Sequence, residues 1–314
     1  MPQVFDLSNI VYLLGIVLSL LTASLLVRYA GRNNRPNRLL AFYFLTLSGG
    51  LLIVFLLYTG LMQQYPWYHL FRTGNIVGLL IMPLSYLYFR TVIKQRGLKR
   101  IDILHFLPAI IYLVDYSPVL LFPGSEKMAM TIRELAMPDR GQSMQHGWIE
   151  PGINWVIIRT AQMTIYWLLQ LSLFYTASKI PGSKQLFREN RPFFAWFALS
   201  TALQLVFFMP SYLNALFGTD PYDFIVLHTS IAVAALVQTV VLLFMPEILY
   251  GLKGLLIPAG ESNSPVNANP DPSVAEGMGE LKNKPNITFT VENEYQGEME
   301  TSLEKASGSS VDTK

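Results

Sequence analysis

The chain reads as an all-α integral membrane protein: a seven-transmembrane-helix bundle with its N-terminus outside, its C-terminus inside and a disordered cytoplasmic tail. Three observations predict this. Hydrophobic residues make up 52% of the 314 positions and charged residues only 14%, with a mean hydropathy of +0.36. Soluble domains carry about a quarter charged residues. The apolar residues also gather in runs of roughly 20, the length a helix rising 1.5 Å per residue needs to cross a ~30 Å hydrocarbon core. Third, among the short loops Lys and Arg gather in every other one, which sets an expected orientation.

The expected spans are Ile10–Val27, Leu39–Met62, Phe71–Ile93, Ile103–Phe122, Ile153–Tyr175, Phe193–Phe217 and Phe224–Tyr250. The first is an uncleaved anchor rather than a signal peptide. No Lys or Arg precedes it, whereas Arg28, Arg32, Arg35 and Arg38 follow it. The fourth is the weakest, because Pro108 and Pro118 interrupt it and Asp115 lies within it. Such prolines persist in membrane helices where neighbours satisfy the carbonyls they free. The third loop holds Lys94, Arg96, Lys99 and Arg100, and the fifth Lys179, Lys184, Arg188 and Arg191. The second and sixth loops carry no Lys or Arg, and the longer fourth loop, Pro123–Gly152, is mixed in charge. Odd loops are therefore expected inside. Tyr65, Trp67, Tyr68, Trp148 and Trp155 then fall at the outer interface, and Tyr86, Tyr88 and Tyr250 near the inner one.

Two domains are expected: residues 1–251 as the membrane domain and 252–314 as an acidic tail. The tail holds five lysines against ten acidic residues, net −5, so the membrane part carries +7 of the overall +2. It is rich in Ser, Asn, Pro, Gly and Glu, a composition unable to bury a core.

The absences narrow the chemistry. Zero cysteines remove disulfides, thiolate metal sites and cysteine nucleophiles. There is no HExxH, no phosphate loop ending in GK[ST], and no lysine in the last span for a Schiff base. Glu247 is alone at the membrane edge. Leu47-Ser-Gly-Gly50 sets a serine beside glycines, which close helix packing explains better than proteolysis. His69 and His146, in outer loops, are too scattered for a metal site, and His105 is expected simply to hydrogen-bond at the inner interface. No catalytic residue, cofactor or metal is expected.

What remains is a set of polar side chains toward the outer half of the bundle: Arg72 and Asn75, Asp115 and Tyr116, Asn214, and His228 one turn into the last span. Arg159, Gln162, Tyr166 and Gln170 form one stripe of the fifth span. Charges in a bilayer cost on the order of 2.5–3.5 kcal/mol each, so they turn inward and pair. Asp115 is expected to pair with Arg72 or Arg159. Two readings stand: the set is hydrogen-bonding glue, or it lines an outward-facing pocket in which Arg72, Asn75, Asp115, Arg159, Gln162, Tyr166 and His228 hold a small ligand.

Asn37-Arg-Leu-Leu-Ala41, Pro83-Leu-Ser-Tyr-Leu-Tyr88, Asp102-Ile-Leu-His-Phe-Leu-Pro108 and Phe244-Met-Pro-Glu-Ile-Leu-Tyr250 form an ordered series. Together they resemble the N-terminal membrane module of bacterial AraC-type helix-turn-helix transcriptional regulators, over roughly Ile10–Gly251. In that family a DNA-binding domain follows the last span. Here an acidic tail follows it, which the phosphate backbone would repel, so direct nucleic-acid binding is not expected. The resemblance implies a sensor in the bacterial inner membrane that meets the lipid bilayer, an unknown small ligand and an unknown cytoplasmic protein partner. The alternatives are a small-molecule transporter or a remnant regulator with a structural role. Against transport, the spans show no evident inverted repeat or pair of broken helices.

Overall fold

The predominantly apolar runs become the long helices. The computed structural model describes residues 6–29, 35–94, 97–136, 147–149, 155–179, 183–217 and 224–249. Backbone contacts separate residues 1–260 from 261–314; the expected acidic tail, and Tyr250, lie outside the described residues. Within the described part the secondary structure is helical, with no strand.

Helix α1 spans Leu7–Tyr29, α2 Arg35–Tyr58 and α3 Gly74–Lys94. These three are long and apolar enough to cross a membrane, and Leu227–Leu243 is a shorter apolar helix. Helix α7, Trp155–Lys179, is 25 residues long, but Arg159, Gln162 and Gln170 dilute its apolar run. Helix α3 is the most enclosed of the long three, with 67% of its apolar stretch buried against 39% for α1. The outer flank of α1 leaves Leu13, Leu14, Val17, Leu20 and Leu21 exposed, a surface suited to lipid.

Proline decides where the other segments break. The fourth becomes a 3-10 turn at Arg100–Phe106, then α4 at Leu107–Asp115 and α5 at Ser117–Leu121. Pro108 and Pro118 sit in the first turns of α4 and α5, where a missing N–H is harmless. The sixth segment was expected to be continuous and is not. It divides into α9 at Arg191–Leu203, a 3-10 turn at Gln204–Phe207 and α10 at Met209–Phe217. Pro210 lies in the first turn of α10 and cannot donate to the Val206 carbonyl, so the hydrogen-bond ladder of the preceding turn does not run on into α10. The last segment is α11, Phe224–Leu243, with the short α12 at Pro246–Leu249. Helix α8 is Ser183–Glu189. The stretch read as a mixed loop contains another helix, α6 at Gly124–Leu135, which buries Lys127, Met130, Thr131 and Glu134.

The neighbours close a ring: α1 packs on α2, α2 on α3, α3 on α7, α7 on α9, α9 on α11 and α11 on α1, while α4 docks outside on α3. Side-chain pairs give the directions. Asn75 meets Arg159 and Ser85 meets Gln170, so α3 and α7 run parallel. Tyr12 meets Thr229 and Ser19 meets Thr239, so α1 and α11 also run parallel. Tyr43 meets Gln238 and Tyr58 meets His228, so α2 and α11 are antiparallel. Ser48 donates to the Ile16 carbonyl at 3.2 Å, which assigns the serine-glycine run to packing between α1 and α2. Tyr88, expected at the interface, is fully buried against Phe89 and Trp196.

Candidate functional site

At one end of the ring α2, α3, α7, the turn before α10 and α11 leave a cavity of about 250 Å³. Its wall is mostly apolar, with Leu51, Val54, Leu57, Val77, Ile81, Met163, Phe207 and Ile231 among the lining. Its polar lining is Tyr58, Arg72, Asn75, Arg159, Ser211 and His228. Four of the seven ligand residues expected from sequence therefore share one space: Arg72, Asn75, Arg159 and His228. Asp115, Gln162 and Tyr166 do not line it.

Of the six polar lining residues, Tyr58, Arg72, Asn75, Arg159 and His228 each have a side-chain partner. Asn75 starts α3, and its Oδ1 accepts from Arg159 at 2.7 Å while its amide donates to the Tyr112 hydroxyl at 3.3 Å. Tyr112 in turn donates to the Arg72 carbonyl at 3.0 Å. Arg72 has φ 68°, a left-handed backbone that costs about 1–2 kcal/mol in a residue with a Cβ. That conformation sends its guanidinium to Glu134 of α6, with Nη2 2.6 Å from Oε2 and the carboxylate fully enclosed. His228 shares a 2.9 Å hydrogen bond with Tyr58, which stacks on Tyr12. Gly78 clears the path for Arg159: a Cβ there would stand 2.8 Å from the arginine Cδ.

The expected pairing of Asp115 with Arg72 or Arg159 does not form. Asp115 accepts instead from the Ile149 amide at 2.8 Å and from the Trp155 indole at 2.7 Å. It pins the start of α7 to the end of α4, and any Cβ at Gly147 would collide with its carboxylate. Gln162 has a different task. Pro83 lies inside α3 and cannot donate to the Leu79 carbonyl; the Gln162 amide donates to that oxygen at 3.0 Å. Tyr166 shares a 2.7 Å hydrogen bond with His105, at the other end of α3 from Asn75. Asn214 lies in α10, but its side chain is outside the described set.

Two further polar clusters were not anticipated. Ser85, Gln170 and Gln204 close a buried triangle, with contacts of 3.2, 2.9 and 2.7 Å. Before α4, Asp102 takes two hydrogen bonds from Arg90 at 2.9 and 2.5 Å and one from the Lys99 amide at 2.7 Å. Arg90 holds that carboxyl below its usual range against the opposing effect of burial. On α6, burial pushes the Lys127 ammonium down from its ordinary value, and Nζ donates to the Leu120 carbonyl at 3.1 Å. Among the described residues no group of three His, Asp or Glu side chains is placed to hold a metal ion.

Compared with known protein families, curated proteins and solved structures, the chain matches none.

Proposed function

We propose that the chain is a seven-span membrane sensor, N-terminus out and C-terminus in, that takes up an external or membrane-borne ligand and relays its presence to a cytoplasmic protein partner. The observation that carries this is the cavity, with six polar side chains in a mostly apolar lining, in which residues from α2, α3, α7 and α11 converge. A ligand touching all four helices would bias how they pack, which is the requirement for relaying a signal. The alternating helix directions and the loop charges support seven passes. The resemblance to the membrane module of AraC-type regulators supports sensing, with transcriptional control as the downstream process and the bacterial inner membrane as the location.

The experiment is Arg159→Ala in cells, reading the proteins cross-linked to the tail with and without conditioned medium. The expected outcome is loss of the signal-dependent change in the cross-linked set. Insertion is checked by single engineered cysteines, labelled from outside at Ser125 and Gly218 but not at Gly31 or Gly182. An unchanged response with that labelling pattern intact sinks the sensor reading.

One observation favours transport as a second reading. The fourth and sixth segments are both interrupted, and the break in the sixth brings Phe207 and Ser211 to the cavity. Discontinuous helices that line a central site are a transporter device. Substrate flux in reconstituted vesicles would select this reading.

A further inference from the structure

We propose that the cavity binds a small amphiphilic monoanion, its carboxylate against Arg159 and its short apolar chain along the wall between α2 and α11. This rests on the cavity being the ligand site, as proposed above.

Charge carries the first half of the argument. Arg72 and Arg90 each meet a carboxylate, Glu134 and Asp102. Arg159 meets none among the described residues; its bond is to the neutral Asn75 amide oxygen. A cation in an apolar segment without a counter-charge is unfavourable, and a carboxylate arriving from the cavity removes the penalty. The guanidinium also offers the fork geometry that a carboxylate accepts with two parallel hydrogen bonds. Gly78 frees the space through which the arginine shaft reaches the cavity.

Size and polarity carry the second half. Beyond the polar side the wall is aliphatic, with Leu51, Val54, Ile81 and Ile231 offering no hydrogen bond. A volume of about 250 Å³ lies below the ~300–1,000 Å³ of drug-sized sites. At ~30 Å³ per water in the liquid, that is the space of roughly eight waters, too little for a two-chain phospholipid. A neutral alcohol of the same length would fill the wall but leave the cation bare, and inorganic phosphate would meet the cation but leave the wall unfilled.

The test uses the purified full chain in phosphatidylcholine nanodiscs and radiolabelled octanoate, at roughly ten non-hydrogen atoms a fit to this volume. Saturable one-site binding is expected, at least tenfold tighter than competition by octanol, octylamine or inorganic phosphate. Arg159→Gln is expected to weaken octanoate at least tenfold and octanol little. Arg159→Lys keeps the charge without the fork and should recover part of the affinity, which separates lost charge from lost folding. Equal competition by octanol or phosphate, absence of saturable octanoate binding, or unchanged binding in Arg159→Gln each overturns the assignment. Displacement of octanoate by decanoate loaded into the bilayer supports the class and places its source in the membrane; its failure, with octanoate bound, supports an aqueous source. The readout needs no cytoplasmic partner. A chain that binds octanoate but relays nothing loses the sensor reading alone, and one that relays a signal but ignores octanoate loses only this ligand class.

Discussion

At Gln170, α7 meets Ser85 and Gln204 in a closed ring of neutral side chains, all buried. Three turns earlier the same helix presents Arg159 to one amide oxygen and a cavity. Both residues lie on a single polar stripe, and helical spacing treats them alike. What separates them is closure. In the triangle each amide donates to and accepts from protein, so it serves cohesion. At Arg159 a full charge is answered, among the described residues, by a neutral amide oxygen at the cavity wall, the arrangement on which the proposed ligand site rests. A polar stripe on a membrane helix is thus neither glue nor pocket as a whole; each member has to be followed to its partner.

The comparison can be broken at three places. The largest expected effect is at Glu134→Gln, which leaves the Arg72 guanidinium without its enclosed counter-charge. Stability is expected to fall by about 3 kcal/mol, the scale for breaking a buried pair, seen as a lower melting temperature in detergent. Next comes Gln170→Ala, which opens the triangle and strands amide groups of Gln204. A loss of about 2 kcal/mol is expected with octanoate affinity unchanged. If that variant instead lost ligand affinity at full stability, the distinction drawn between triangle and cavity would collapse.

The smallest effect is a pH dependence at Asp102, which lies before α4. Its carboxyl is held below its usual range by Arg90, so its folded pKa is lower than its unfolded one. The stabilisation is therefore full above the ordinary carboxylate pKa and disappears as pH falls through the lowered folded value. Melting temperature against pH should show wild type exceeding Asp102→Asn at neutral pH and converging with it in acid. A gap that stays constant down to the most acidic buffer would remove the ion pair as its source.

The parts of this molecule legible in sequence are those governed by local pattern. Apolar runs gave α1, α2 and α3 within a few residues of their ends and the start of α11, which stops at Leu243, seven residues short of the expected Tyr250. Arg72, Asn75, Arg159 and His228 were grouped because burying polar groups in an apolar segment demands a shared interior. Non-local choices were not legible. Asp115 had two arginines on offer and went to a backbone amide and an indole more than thirty residues on, because those reach the end of α4 directly. Helix α6 hid behind a mixed charge pattern, since its buried Lys127 and Glu134 look like solvent-facing residues until their partners are known. Two prolines carry such non-local information in the sequence itself. Pro210 in mid-segment foretold the break before α10. Pro83 implied a free carbonyl at Leu79, and hence a donor on a neighbouring helix, which turned out to be Gln162.

That last bond has a mechanical consequence. Asn75 with Arg159, Leu79 with Gln162 and Ser85 with Gln170 peg α3 to α7 at three levels, over roughly 15 Å of each helix. The middle peg is the least replaceable, because sliding either helix would leave the buried Leu79 oxygen without a donor. The pair is a stiff stave. Across the cavity α2 and α11 are joined, among the described residues, by the Tyr58–His228 and Tyr43–Gln238 hydrogen bonds, so a shift of α11 against α2 is expected to register first in those two tyrosines.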